Sequence, residues 1–211
     1  MNKKAKGNPC RGGDRKRNST KIFIITGLLL ISAALLLTAF NVLRDMRASS
    51  ASSDALQQME FGAGSVEYLR VPEKELPSSV LDGVEYVGAL EIPSLGLQLP
   101  VAAYWDPGFA KSAPCRYTGS PYTGDMIIAG HNYRQHFGKL RKLQMGAEVY
   151  FTDLDGNTFT YTAVSVESVD GWDIETMLAG GTAAAKDTWD LTLFTCNFSG
   201  QARIAVRCVQ Q

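Results

Sequence analysis

Three side chains stand where short apolar runs end or begin. Cys196 closes WDLTLFTC (Trp189–Cys196), His131 follows DMIIAG (Asp125–Gly130), and Arg203 opens RIAVRC (Arg203–Cys208), seven residues after the cysteine. A thiol at the end of a strand is held by the sheet yet can reach a substrate, although burial as a small hydrophobe is the commoner fate of a free cysteine. To act as a nucleophile near neutral pH it needs a base or an imidazolium beside it. Only His131 and His136 can supply one. His136 lies in the polar stretch NYRQHFGKL, where a solvated or helix-capping role is expected, so His131 is the preferred partner. The two histidines are five apart with no Cys or carboxylate cluster around them, which argues against a metal centre. A hairpin through NFSGQA brings Arg203 back beside Cys196. Period-two alternation then places Arg203, Ala205 and Arg207 on one face of that strand and Ile204, Val206 and Cys208 on the apolar face. Arg207 lies ~13 Å further along the strand, too far to share the site.

These side chains need a sheet to hold them, and the sequence from about Leu81 onward supplies short β-branched and aromatic runs punctuated by Gly, Pro and Asp. The expected strands are Val84–Ile92, Leu97–Tyr104, Met126–Ala129, Ala147–Thr152, Thr158–Val166, Trp189–Thr195 and Ala202–Val209. Asp155, Gly156 and Asn157 separate two cleanly alternating runs, the pattern of a β-hairpin. Helical spacing is confined to Phe137–Leu143 and Ile174–Leu178, so helices should be short connectors. WDPG (Trp105–Gly108) reads as a turn.

The N-terminal part is different in kind. Residues 1–21 carry eight Lys/Arg against the single acid Asp14, so a formally neutral chain has a strongly basic head and an acidic remainder. The apolar run Ile22–Leu43 follows without a charged residue, and as a helix it would span ~33 Å, enough for a bilayer core of ~30 Å. It is longer than the apolar core of an ordinary cleavable signal. The positive-inside rule places residues 1–21 in the cytoplasm and everything after Arg44 outside the cell. Such a head, lacking interleaved aromatics and abutting an apolar run, is a topology signal rather than a nucleic-acid arm. Residues 44–80, rich in Ser, Ala, Gln, Glu and Pro, read as an extracellular stalk with a short helix near Val66–Leu69. Of four cysteines, Cys115, Cys196 and Cys208 fall on the exported side, an odd count that leaves at least one thiol unpaired. Cys208 lies on a core face, so a Cys115–Cys208 disulfide is not expected.

TLFTC (Thr192–Cys196) resembles the TLxTC signature of sortases. AGH (Ala129–His131) looks like the end of their histidine strand, and Arg203 with Ile204, Ala205 and Val206 is similar to their arginine strand. The resemblance extends over about Leu81–Val209 and includes IPSLGLQLPV (Ile92–Val101), which is similar to the family's early hairpin. It implies a mainly β protein: a sortase-type closed barrel of about seven to eight strands in residues 81–211. It further implies that Cys196 attacks the Thr carbonyl of an LPxTG-like C-terminal sorting signal, that His131 moves the proton, and that Arg203 steadies the oxyanion. Thr195, Asn132 and Thr192 are the expected substrate contacts. The acyl group would pass to an amine of a peptidoglycan precursor or of a pilin lysine, without ATP or any other cofactor. Calcium, used by some relatives, would need more carboxylates than Asp106 and Asp125 in the loop between those residues. A different extracytoplasmic cysteine acyltransferase, the L,D-transpeptidase, would place glycine before the nucleophile, where this chain has Thr195. A membrane-tethered barrel that only binds peptides is the non-enzymatic alternative, and it would tolerate loss of the Cys196 thiol.

Overall fold

The computed structural model describes residues 13–64, 74–178, 189–197 and 200–211, and the chain divides between Arg44 and Asp45 into two compact units. The short helix expected near Val66–Leu69 lies outside the described residues.

Helix α1 runs from Gly13 to Gln58. In the first unit its Leu, Ile and Ala residues favour the helix intrinsically, and no proline interrupts them. Large apolar side chains are exposed around its whole circumference, Phe23 to 77% and Leu36 to 72%. By length and composition this helix is able to cross a membrane.

In the second unit α1 behaves differently. Ala48, Ser52 and Ala55, with Met59 just beyond the helix, are buried at spacings of four, three and four, which is one helical face. Ala55 and Met59 pack in a cluster with Tyr86, Ala102, Ala110 and Cys115. Residues 45–58, expected to belong to a stalk, are therefore docked helix. The small side chains on that face let its backbone come close to the sheet.

The remainder is a barrel. Its strands are β1 (Ser79–Leu81), β2 (Val84–Ile92), β3 (Leu97–Ala102), β4 (Cys115–Thr118), β5 (Met126–Gly130), β6 (Glu148–Asp153), β7 (Thr158–Asp170), β8 (Leu191–Cys196) and β9 (Ala202–Gln210), with the short helix α2 (Ile174–Leu178) after β7. The sheet order is β1-β2-β3-β4-β5-β8-β9-β7-β6, and β6 pairs back onto β2. Eight strands thus close on themselves, with β1 a short hairpin extension of β2. The pairs β3–β4 and β5–β8 are parallel and the others antiparallel.

The interior is filled by alternate residues, among them Leu90, Ile128, Phe151, Phe159, Leu193 and Val206, each no more than 1% exposed. Truncating one of the two phenylalanines to alanine would cost ~3–5 kcal/mol. The expected hairpin turn lies between β6 and β7, held by a buried polar knot. Asp153 receives the Tyr122 hydroxyl proton, and the Asn157 amide nitrogen donates to Asp153 Oδ2 at 3.1 Å and to Tyr122 Oη at 3.0 Å. Each member is satisfied by the others, which is what permits a carboxylate at 0% exposure. The connection expected to be helical at Phe137–Leu143 is a 3-10 helix, Phe137–Lys142.

Candidate active site

Strand register brings the three chemistry-bearing residues together. In the parallel β5–β8 pair Gly130 stands opposite Thr195, so the next residues, His131 and Cys196, leave neighbouring strand ends on the same edge. In the antiparallel β8–β9 pair Cys196 stands directly opposite Arg203. Histidine, cysteine and arginine are thus consecutive across three adjacent strands, spaced by roughly 5 Å per strand. Gly130 is required by packing: a Cβ there would meet the Phe137 ring at 2.7 Å.

A groove of about 360 Å³ opens over this edge. Cys196, His131 and Arg203 share it with the aromatic rings of Trp105, Tyr117 and Phe194 and with Ile174, Met177 and Leu178 of α2. Trp105 meets His131 edge-on with ring centroids 6.1 Å apart, and Tyr117 meets Phe194 at 5.8 Å. Trp172, 90% exposed, stands at the lip. An apolar trough with one cation and one thiol suits an extended peptide that offers an apolar side chain and a carbonyl.

Arg203 is steadied by its own turn: Nη1 donates to the carbonyls of Gly200 at 3.0 Å and Ala202 at 3.3 Å. The Asn197 N–H donates to the Ala202 carbonyl at 2.8 Å, closing the β8–β9 connection. A Cβ on Gly171 would come within 3.0 Å of Arg203 Nη1, so a glycine there leaves the guanidinium its space.

The three described thiols differ sharply. Cys115 and Cys208 are free and fully buried, in separate parts of the core. Burial pushes the Cys115 thiol up to about 11 and the Cys208 thiol up to about 12. Cys196 is partly exposed and lines the groove.

The expected substrate contacts divide. Thr195 lines the groove at 3% exposure, and its hydroxyl has no hydrogen-bond partner among the described residues. Thr192 does not reach the groove: its buried hydroxyl accepts from Arg207 Nη1 at 3.1 Å. Asn132 lines a separate cavity of about 390 Å³, beside Arg134, Lys139, Arg141 and Lys142.

His136 is fully buried, neither solvated nor capping the 3-10 helix it precedes. Ser52 of α1 donates its hydroxyl proton to the Ser112 carbonyl, so its oxygen accepts from His136 Nε2 at 3.0 Å. Tyr133 lies between the two histidines, with ring centroids 5.2 Å from His131 and 5.5 Å from His136. Burial lowers the His136 pKa, with a smaller push the same way from His131, against the Ala48 backbone and Asp45, which favour the charged form. Nothing in the polar sequence around His136 signals this, because the covering residue is 84 positions away.

The loop carboxylates are engaged in turns. Asp106 accepts from the N–H of Gly108 at 2.7 Å, as the turn expected at WDPG requires, and Asp125 accepts from the N–H of Ser120 at 3.1 Å.

Comparison with known proteins places this geometry. No curated protein matches the sequence. Among solved structures the chain is similar to sortase C1 from Streptococcus agalactiae, with 21% identity over 63% of this chain and 70% of that one and a TM-score of 0.54. It is also similar to sortase A from Listeria monocytogenes, with 22% identity over 60% and 87% of the two chains and a TM-score of 0.51. A third similar structure is sortase C from Clostridium perfringens with the C-terminal cell wall sorting motif, with 22% identity over 60% and 70% and a TM-score of 0.50. These likenesses establish the shared barrel, and the sequence model of the Sortase domain matches residues 90–211, more than half of the chain. With β5, β8 and β9 all inside that match, the chain belongs to the sortase family of transpeptidases.

Proposed function

We propose that this sortase cleaves an LPxTG-like C-terminal sorting signal between Thr and Gly, with Cys196 as nucleophile, His131 as proton carrier and Arg203 as oxyanion support. The observation that carries the reading is the register: Gly130 opposite Thr195 and Cys196 opposite Arg203 put the three groups side by side at one end of the barrel. The Cys196 sulfur attacks the Thr carbonyl, and the oxyanion forms beside the Arg203 guanidinium. The C–N bond to glycine breaks, His131 gives its proton to the departing amine, and a thioester remains. An incoming amine attacks the thioester and His131 takes its proton. The new amide releases Cys196 as the next resting nucleophile, and no ATP enters because the thioester keeps the energy of the cleaved bond.

The acceptor is an amine of a peptidoglycan precursor or of a pilin. The exposed apolar part of α1 supports a single membrane span within Ile22–Leu43, with residues 1–21 cytoplasmic and the catalytic barrel outside. The sorting-motif complex of the Clostridium perfringens sortase supports the same class of substrate. The deciding experiment incubates the full chain in mild detergent with a panel of LPxTG-like peptides, alone and with an amine acceptor. Mass spectrometry should find the truncated peptide on Cys196 and none on the Cys196→Ala variant. Absence of any adduct from a folded protein with an accessible thiol refutes the transpeptidase assignment for these residues.

A further inference from the structure

We infer that Arg207 is a positioning residue that fixes one wall of the peptide groove and thereby sets affinity for the sorting signal. The inference rests on reading the groove as the peptide site. Arg207 shares its strand face with Arg203 but is 0% exposed, with α2 and the Trp189 ring packed against its guanidinium. Arg207 does not line the groove, in keeping with its distance along the strand, but it holds residues that do. Its Nε donates to Glu167 Oε1 at 2.7 Å, and its Nη1 donates to the Met177 carbonyl at 3.0 Å and to Thr192 Oγ1 at 3.1 Å. Its Nη2 donates to the Thr176 carbonyl, and its Cζ stands 4.8 Å from the centre of the Trp189 ring.

Two of those acceptors are main-chain carbonyls of α2, a five-residue helix that cannot stabilise itself in water. The last carbonyls of a helix lack intrahelical partners, and a cation there both satisfies them and opposes the helix dipole. Arg207 does this from the sheet, while Glu167 on β7 and Thr192 on β8 hold the guanidinium in plane. The side chains that α2 then presents, Ile174, Met177 and Leu178, line the groove over Cys196. One buried fork therefore ties three strands to the wall and determines where its apolar surface stands relative to the nucleophile.

Lysine cannot replace it. A single ammonium offers three donors from one point and cannot span acceptors distributed around a planar fork. In the full chain, Arg207→Lys should raise KM for a sorting peptide on the order of 10-fold or more, since a displaced wall misplaces the bound peptide. The kcat should stay within about 3-fold, and Cys196 alkylation by a small reagent within about 2-fold, because the catalytic edge is left intact. Hydrogen exchange at amides 174–178 should accelerate without a matching change in β2 or β6. Unchanged KM together with unchanged exchange at 174–178 in a folded variant overturns the inference, as does a fall in kcat and Cys196 reactivity equal to the rise in KM. If no peptide reacts with the native chain, the proposed substrate fails and the exchange comparison still decides the role of Arg207. Should Arg207→Lys not fold, exchange in the native chain decides: α2 amides protected like their neighbours in β7 support the tether, and α2 amides exchanging like free chain refute it.

Discussion

The buried and exposed thiols lead to a quantitative expectation for chemical labelling. In a Cys10→Ser background, the folded full chain would be treated with a small alkylating reagent at pH 7.5 and sampled over time by peptide mapping. A thiol of ordinary pKa ~8.5 is about 10% thiolate at that pH. With values of about 11 and about 12, Cys115 and Cys208 are thiolate to only ~3 × 10⁻⁴ and ~3 × 10⁻⁵. Their greater basicity makes each thiolate more reactive, by ~13-fold and ~40-fold for a Brønsted slope near 0.45. Chemistry alone then slows them ~20-fold and ~80-fold relative to an ordinary thiol. Both sulfurs are also fully buried, so attack requires local opening. Cys196 needs no such opening and should be modified first and alone. Labelling of Cys115 or Cys208 at the rate of Cys196, in protein shown to be folded, would refute the burial argument; an inert Cys196 would refute its place in the groove.

Three further outcomes follow from individual contacts. Arg203→Ala should lower kcat on the order of 10²–10³-fold, as loss of an oxyanion donor does, while thermal unfolding stays within a few degrees of native; retained turnover would show that another group carries the oxyanion. The His136 pKa is lowered by burial, so below about 6.5 the unfolded chain binds a proton that the folded chain refuses, and stability should fall as pH drops from 6.5 toward 5. Calorimetry should show that decline reduced in His136→Gln, and an equal slope in both proteins would sink the assignment. Ser52→Leu places a bulky group on a face built of small residues and leaves the Ser112 carbonyl and His136 Nε2 unpaired, a loss of ~2–4 kcal/mol measurable by denaturant unfolding; a change below about 0.5 kcal/mol would mean that α1 is not docked in solution.

The barrel was legible because its strands obey period-two patterning strongly enough to survive any local context. Val84–Ile92 coincides with β2, and the other expected strands overlap observed ones with shifts at their ends. Two short strands escaped. Ser79–Leu81 has three residues, and Cys115–Thr118, between Pro114 and Gly119, alternates too briefly to show a period. Missing the latter hid Tyr117, one of the aromatic walls of the groove. The docking face of α1 was present in the spacing of Ala48, Ser52, Ala55 and Met59, but serine and alanine are also the composition of a linker, and only packing distinguishes the two. Arg207 and Thr192 illustrate the opposite difficulty. Alternation assigned Arg207 to the right face of its strand, yet which faces are covered depends on segments far away in sequence, here α2. His136 was misread for the same reason.

The parallel pairing of β5 with β8 has a kinetic consequence. About 60 residues separate the two strands, and closing a loop of that size costs ~3.6 kcal/mol of chain entropy before any contact rewards it. The intervening β6–β7 hairpin is local and can form first, whereas the β5–β8 zipper belongs to the slow, non-local part of the topology. Cys196 has no histidine neighbour until that zipper closes, and no arginine opposite it until β9 follows. An unfolded chain would therefore carry Cys196 apart from both neighbours, and the order in which amide protection appears in β5, β8 and β9 during refolding would time the last long-range closure of the barrel.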